Sequence, residues 1–210
     1  MIRTIFFDYD GVLTTDKSGL LTTFRYLSEA SGIALSTIND AFNPYVGDLL
    51  MGRSSHAKVW HKVCDAVGKE LDIGLLAEAF ESTPSNMRMF SLAQALRASH
   101  AVGIITDNSK DRMDHLIKRQ GLDALFSPIV VSADVGSGKR DQEIFLYAIS
   151  RAGVAPDECI FIDNSEANVV VARASGMHAI FHDDEKNDID SLMKKLALLG
   201  ARVDGQMEVQ

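Results

Sequence analysis

Cysteine is nearly absent from this chain, with two in 210 residues. Cys64 and Cys159 lie far apart and match no metal or redox spacing, and Cys159 sits inside an apolar run. That pattern argues against a disulfide framework, makes Cys159 a small core residue and fits a reducing cytoplasm. Long hydrophobic runs are missing too. The longest are strand-sized, so no segment spans a bilayer, and residues 2–7 are too short for a signal peptide. Neither a lipidation nor an export signal is expected. Basic charge is scarce: 21 Lys and Arg against 29 Asp and Glu leave a formal charge of −8. Nucleic-acid binders usually carry a basic stripe, so a nucleic-acid partner is not expected. Anionic small molecules stay compatible, because a bound cation reverses the local field. Repeats and low-complexity segments are lacking. The six histidines show no ligand spacing; His56 and His61, five apart, do not share a helix face, and packing or surface roles are assigned to all six.

What is present is an ordinary globular composition, 46% apolar and 24% charged, in a length that holds one domain or a core with an insertion. Five short apolar runs stand out: residues 5–7, 102–105, 129–131, 160–162 and 179–181. They are continuous rather than alternating, which suits strands covered on both faces. Between the later runs the spacing is helical. Ile144, Phe145, Ala148, Ile149 and Ala152 form one stripe, after which Gly153 and Pro156 end the helix. Strand–helix alternation predicts an α/β fold with a doubly wound, Rossmann-like parallel sheet. One stretch breaks the alternation: from about residue 16 to residue 84 only helical patterns occur, too long for a loop. The expected organisation is a core of residues 1–15 and 86–210 with a small all-α domain inserted at 16–85. Its tethers fall near residues 14–19 and 82–91.

Polar residues follow the apolar runs in a fixed way. Asp8 directly follows the first run and Thr106 the second. Lys139 lies in a Gly-rich loop beyond the third, and Asp163 and Asn164 follow the fourth. In an open parallel sheet, residues just past the strand ends gather at one carboxyl edge, where ligands bind. The residue types suit phosphoryl transfer. A carboxylate such as Asp8 can attack phosphorus. Asp10, two positions on and pointing to the same side of an extended chain, can give a proton to the leaving oxygen and take one from water. Mg²⁺ favours carboxylate and carbonyl oxygens, which Asp8 and the Asp163/Asn164 pair supply. Lys139 offers positive charge for phosphoryl oxygens and Thr106 a hydroxyl donor. Asn108 and Ser109 open a helix whose free N–H groups also favour an anion.

The segments carrying these residues resemble the four motifs of the haloacid dehalogenase (HAD) superfamily. D-Y-D-G-V-L-T over 8–14 resembles the first and I-I-T-D-N-S over 104–109 the second. S-A-D-V-G-S-G-K-R-D over 132–141 is similar to the third, and F-I-D-N-S-E-A-N-V over 161–169 to the fourth. The helical insertion falls where that family's type I cap belongs. The resemblance implies a cytoplasmic, Mg²⁺-dependent phosphatase acting on a small phosphorylated metabolite through a phospho-aspartate. It makes Asp8 the nucleophile and Asp10 the acid/base, whose carbonyl also ligates the metal. Thr106 and Lys139 hold the phosphate, with Asn108 a further candidate for binding substrate, and the fourth motif completes the metal site. Dehalogenases of the family lack the second acid, so Asp10 points to phosphate chemistry.

Three departures stand against the family pattern. Asp107 occupies a position that is often asparagine, leaving the role of Asn108 open. Arg140 and Gln142 replace common prolines. Asn164 replaces an acid, so either Asp163 or Asn164 is the direct metal ligand. Asp163 has a plainer alternative as the cap of a helix over 166–174. Arg53, between two cap helices, is the candidate for substrate selection, against a simple helix start with Ser54 as N-cap. Trp60, Tyr45, Phe42 and Met51 are assigned to packing between helices. A phosphosugar mutase shares the motifs and passes the phosphoryl group to a sugar hydroxyl. A receiver-like phospho-acceptor domain also combines aspartates, a threonine and a lysine on a parallel sheet, but receivers are much shorter and lack the insertion.

Overall fold

Each of the five apolar runs is a strand: β1 (Thr4–Phe7), β2 (Ala101–Thr106), β3 (Ile129–Val131), β4 (Cys159–Asp163) and β5 (His178–Phe181). The computed structural model describes residues 1–202, so the last part of the expected core range, 203–210, lies outside the described residues. The strands form one parallel sheet in the order β3-β2-β1-β4-β5. The continuous apolar character of the strands has a direct cause. Ile5 and Phe7 of β1 face one buried cluster with Ile160 and Ile162 of β4, while Phe6 faces a second with Phe161 and Cys159. Both faces are covered, so no position in the strand centre is left for a polar residue.

The helices are α1 (Gly19–Ser31), α2 (Leu35–Leu50), α3 (His56–Val67), α4 (Leu75–Glu81), α5 (Met87–Leu96), α6 (Lys110–Gln120), α7 (Leu122–Leu125), α8 (Ser132–Val135), α9 (Gln142–Ala152), α10 (Glu166–Ala174) and α11 (Ile189–Leu198). Helix α9 ends where its stripe ends, with Gly153 in the left-handed conformation donating to Ile149 O. Four helices, α1 to α4, lie between β1 and α5 with no named strand among them. They pack on one another through Phe24, Phe42 and Trp60, with the Phe24 and Phe42 rings stacked at 4.8 Å. The chain enters and leaves this helical segment side by side. Thr14 and Ser85 form an antiparallel bridge, Thr15 N donates to Pro84 O at 2.9 Å, and Asn86 N donates to Leu13 O at 2.8 Å.

Sheet order places the switch of winding direction beside β1. The chain steps from β1 to β2 and β3 on one side, then crosses to β4 and β5 on the other. A crevice at the strands' carboxyl ends therefore opens next to Asp8.

Candidate active site

Asp8 leaves β1 with its amide donating to Ile162 O of β4 at 2.9 Å, so the ends of the two central strands are fastened together. Residues 9–13 then form a tight irregular turn in which Asp10 is extended and Gly11 has φ +80°. A Cβ on Gly11 would lie 2.1 Å from Asn164 Nδ2, so only glycine lets the two loops meet there. A cavity of about 440 Å³ sits over these strand ends. Asp8, Asp10, Thr106, Asp107, Asn108, Lys139 and Asn164 line it from the core.

Lys139 is almost fully buried and its Nζ lies between two carboxylates, 2.6 Å from Asp8 Oδ2 and 2.8 Å from Asp163 Oδ2. Burial disfavours its charge, but Asp8 and Asp163 together hold the ammonium above its ordinary value. One lysine thus serves two buried acids. Burial pushes the Asp8 carboxyl well up; Lys139 draws it back and Asp163 adds to the rise. Asp107 sets the lysine's place: its Oδ1 accepts from Lys139 N at 2.9 Å, tying the loop after β2 to the loop after β3.

Asp163 and Asn164 divide their positions cleanly. Asp163 is completely buried and does not line the cavity. Its Oδ1 accepts from Ser165 N at 2.6 Å and its Oδ2 from Lys139, while Asn168 Nδ2 stands 3.2 Å from both oxygens. Asn164 faces the cavity instead. At the head of α10 the N-cap position belongs to Ser165.

Asp10 is held by residues that sequence reasoning missed or used otherwise. Its Oδ2 accepts from Arg112 Nη1 at 2.8 Å and from Asn108 Nδ2 at 2.9 Å; its Oδ1 accepts from Arg112 Nη2 at 2.9 Å. Asn108 Oδ1 accepts from the same Nη1 at 2.9 Å, so its amide is spent inside this network. Asn108 N donates to Ser132 Oγ. Arg112 lies over the Tyr9 ring and is nearly buried; burial works against its charge, and Asp10 more than restores it. An arginine four residues after Asn108, in the first turn of the helix beyond the β2 motif, was the available signal. Thr106 is buried at the cavity wall, with Asn108 Nδ2 at 3.4 Å from its hydroxyl.

Arg53, the candidate for substrate selection, is not among the cavity's lining residues. Its side chain is 63% exposed and pairs with Asp48 at 2.7 Å. Gly52, at φ +68°, turns the chain so closely against Ala133 that a Cβ would lie 2.0 Å from its carbonyl oxygen. The main chain of Arg53 and Ser54 then folds back on Asp48 O, and the arginine is turned outward. Ser54 is not the N-cap of α3 either; Ser55 holds that position, and Asp111 of α6 accepts from His56 N at 2.7 Å. His56 itself, assigned to packing, lines the cavity. Trp60 and Phe42 do pack between helices, as expected.

Among the described residues, no three His, Cys, Asp or Glu side chains converge as a metal cluster. What converges is a smaller oxygen set. Asp8 and the Asn164 amide line the cavity, and the loop joining Asp8 to Gly11 meets Asn164. With Arg112 offsetting Asp10, and Lys139 shared by Asp8 and Asp163, one negative charge of that group is left over, and Asp107 at the cavity wall adds a second. Such a donor set fits a hard divalent cation that keeps several waters.

Residues 2–176 match the model of the haloacid dehalogenase-like hydrolases. Phosphatase MT3486 of Mycobacterium tuberculosis is 26% identical over 216 residues, spanning 97% of this chain and 98% of that protein. A solved structure of a predicted HAD-like family hydrolase from Porphyromonas gingivalis has a TM-score of 0.77 at 26% identity, covering 93% of this chain and 98% of that one. The magnesium complex of a HAD family enzyme from Bacteroides thetaiotaomicron has a TM-score of 0.75, at 20% identity over 91% of this chain and 98% of that one. At that identity the likeness is one of fold.

Proposed function

The chain belongs to the haloacid dehalogenase-like hydrolases and is a phosphatase of that family, and from that premise we propose that it hydrolyses a small phosphate monoester with Asp8 as nucleophile and Mg²⁺ as cofactor. The observation that carries this reading is the convergence of Asp8, Asp10, Thr106, Lys139 and Asn164, from four strand ends, on one cavity. Asp8, the main-chain carbonyl of Asp10 and the Asn164 side chain would hold the magnesium ion, and Asp163 would act through Lys139. The Mg²⁺ complex of the Bacteroides neighbour supports that choice of ion. Bound there, the ion would neutralise charge on the phosphoryl oxygens.

In the first step an Asp8 carboxylate oxygen bonds to phosphorus as the bond to the ester oxygen breaks. Asp10 gives the leaving oxygen its proton, and Asp8 becomes a phospho-aspartate. Water then adds to phosphorus, Asp10 takes its proton, and the aspartyl bond breaks to release phosphate. Lys139 and the Thr106 hydroxyl bind the equatorial oxygens throughout. Among the described residues, all the hydrogen-bond partners of the Asp10 side chain are donors. Delivering a proton therefore requires its clasp with Arg112 to open and the side chain to turn toward the ester oxygen.

Phosphate release from p-nitrophenyl phosphate and from a panel of phosphorylated metabolites tests the reading. Wild-type protein should release phosphate and be blocked by beryllium fluoride, and Asp8→Asn should lose at least a thousandfold in kcat with its fold intact. Retained turnover in Asp8→Asn would remove Asp8 as the nucleophile. Transfer to a sugar hydroxyl without phosphate release would identify a mutase instead.

A further inference from the structure

His56 is the first residue of α3, yet its partner is in the core. Nδ1 lies 2.8 and 2.9 Å from the two carboxylate oxygens of Asp111, and the ring packs edge-on to Phe80 at 5.2 Å. An ionised carboxylate only accepts hydrogen bonds, so Nδ1 carries the proton. Burial works against the Asp111 charge, but the ring and main chain of His56 prevail and bring that carboxyl down to about 2. The other nitrogen, Nε2, has no partner among the described residues. It is not sealed in packing either, since among the described residues the enclosed unpaired side-chain atoms are Arg112 Nε and Ser137 Oγ. With the side chain 5% exposed and His56 lining the cavity, the outlet left to an unenclosed Nε2 is the cavity.

The part of the cavity lining that comes from the helical segment is largely apolar. Leu20, Val46, Leu49, Leu50 and Phe80 make the wall that the helical segment contributes. Its other polar side chains are occupied or peripheral: Thr23 donates to Gly19 O at 2.7 Å, Ser18 caps α1, and Lys17 is 66% exposed. We propose that His56, aligned by Asp111, is the specificity residue of this cavity, and that it hydrogen-bonds a hydroxyl on a leaving group whose body is otherwise apolar. A hydroxyl can donate to the bare Nε2 of a neutral ring and accept from an imidazolium, so it serves either state. A hydrocarbon leaves Nε2 unpaired, and a sugar brings several hydroxyls to a wall with few polar groups. The substrate class is thus a compact phosphate ester with an apolar body and a hydroxyl in reach of Nε2. This rests on the phosphatase reading for the word ester, but the binding test does not.

Phenyl phosphate and its three hydroxyphenyl isomers provide matched leaving groups, and the corresponding phosphonates provide binding without turnover. Both sets are measured on the full chain with Mg²⁺, alongside glucose 6-phosphate. At least one hydroxyl isomer should exceed phenyl by about tenfold in kcat/KM and in phosphonate affinity, with the kinetic gain in KM, and glucose 6-phosphate should be poorer. His56→Asn keeps an amide where Nδ1 meets Asp111 but has nothing at Nε2, so the hydroxyl-to-phenyl ratio should fall to within twofold of one. His56→Gln, with its amide near the Nε2 position, should recover part of the ratio. A merely structural role for His56 would change both ligands together and leave the ratio intact; that result overturns the proposal. So does a wild-type ratio near one for all three isomers. Selective phosphonate binding without any phosphate release would keep the His56 assignment and defeat the phosphatase reading alone.

Discussion

Replacing Arg112 with Met removes one half of a buried ion pair while keeping much of the side-chain volume. The arginine side chain is 4% exposed and Asp10 14%. The change deletes two bonds to Asp10, one to Asn108 Oδ1 at 2.9 Å and one to Thr83 Oγ1 at 3.2 Å. Breaking a buried pair by losing one partner costs about 3–5 kcal/mol, because the remaining charge is stranded. Asp10 borders the cavity and regains some water, which places the cost near the lower end, at about 3 kcal/mol. For a chain of this length each kcal/mol moves Tm by about 2–4 °C, so Arg112→Met should melt roughly 6–12 °C below wild type. Adding Asp10→Asn removes the stranded charge. The double variant should recover a good part of the loss, with a coupling of about 1–3 kcal/mol. Arg112→Lys should fall between, since an ammonium cannot meet both carboxylate oxygens as a planar fork does. Thermal melts at low salt of wild type, Arg112→Met, Asp10→Asn and the double variant give the cycle. An Arg112→Met protein melting within about 2 °C of wild type, or a double variant no better than the single, would refute the clasp as a stabilising pair.

Two further outcomes follow from the same geometry. Asp111 has a depressed folded-state value of about 2 against an ordinary 3.8, so its stabilisation is present above pH 4 or so and lost as pH falls toward 2. Asp111→Asn should lower Tm at pH 7, and its gap from wild type should narrow as pH falls through that window; a gap that widens there contradicts the pairing. In a magnesium titration of activity, Asn164→Asp should reduce the concentration for half-maximal rate several-fold, since it adds charge to the oxygen set. Asn164→Ala should raise that concentration, whereas Asp163→Ala should chiefly reduce kcat by freeing Lys139. The opposite assignment of effects, or activity surviving exhaustive chelation, would overturn the metal reading.

The strands are legible because each is covered on both faces, which leaves an unbroken apolar run and a polar residue at its carboxyl end. Asp8, Thr106 and Asp163 were found by that rule alone, as the first residues past their runs. The choice between Asp163 and Asn164 was not legible. Neighbouring residues leave a strand end in different directions, and only the packing shows that Asp163 is the one enclosed with Lys139 while Asn164 faces the cavity. The place of Arg53 between two helices marks it for substrate selection, but the direction of its side chain depends on a turn against Ala133, 80 residues later in the sequence. His56 and Asp111 are 55 residues apart, and no local period links a helix start in one segment to a helix start in another. Arg112 was within reach of helical spacing from Asn108, yet nothing in spacing distinguishes a cavity-facing arginine from a solvated one.

The side-by-side passage of the chain at Leu13–Asn86, Thr15–Pro84 and the Thr14–Ser85 bridge has a consequence in polymer terms. Everything between those residues is a closed loop whose ends are already hydrogen-bond neighbours. Loop-closure entropy grows only as (3/2)RT ln n, so closing about seventy residues instead of a four-residue turn costs roughly 2.5 kcal/mol. The register of β1 on β2 does not change with the length of what is threaded between them. Segments of other sizes could be spliced at this neck, carrying their own wall for the cavity, while the strand ends beneath keep their positions.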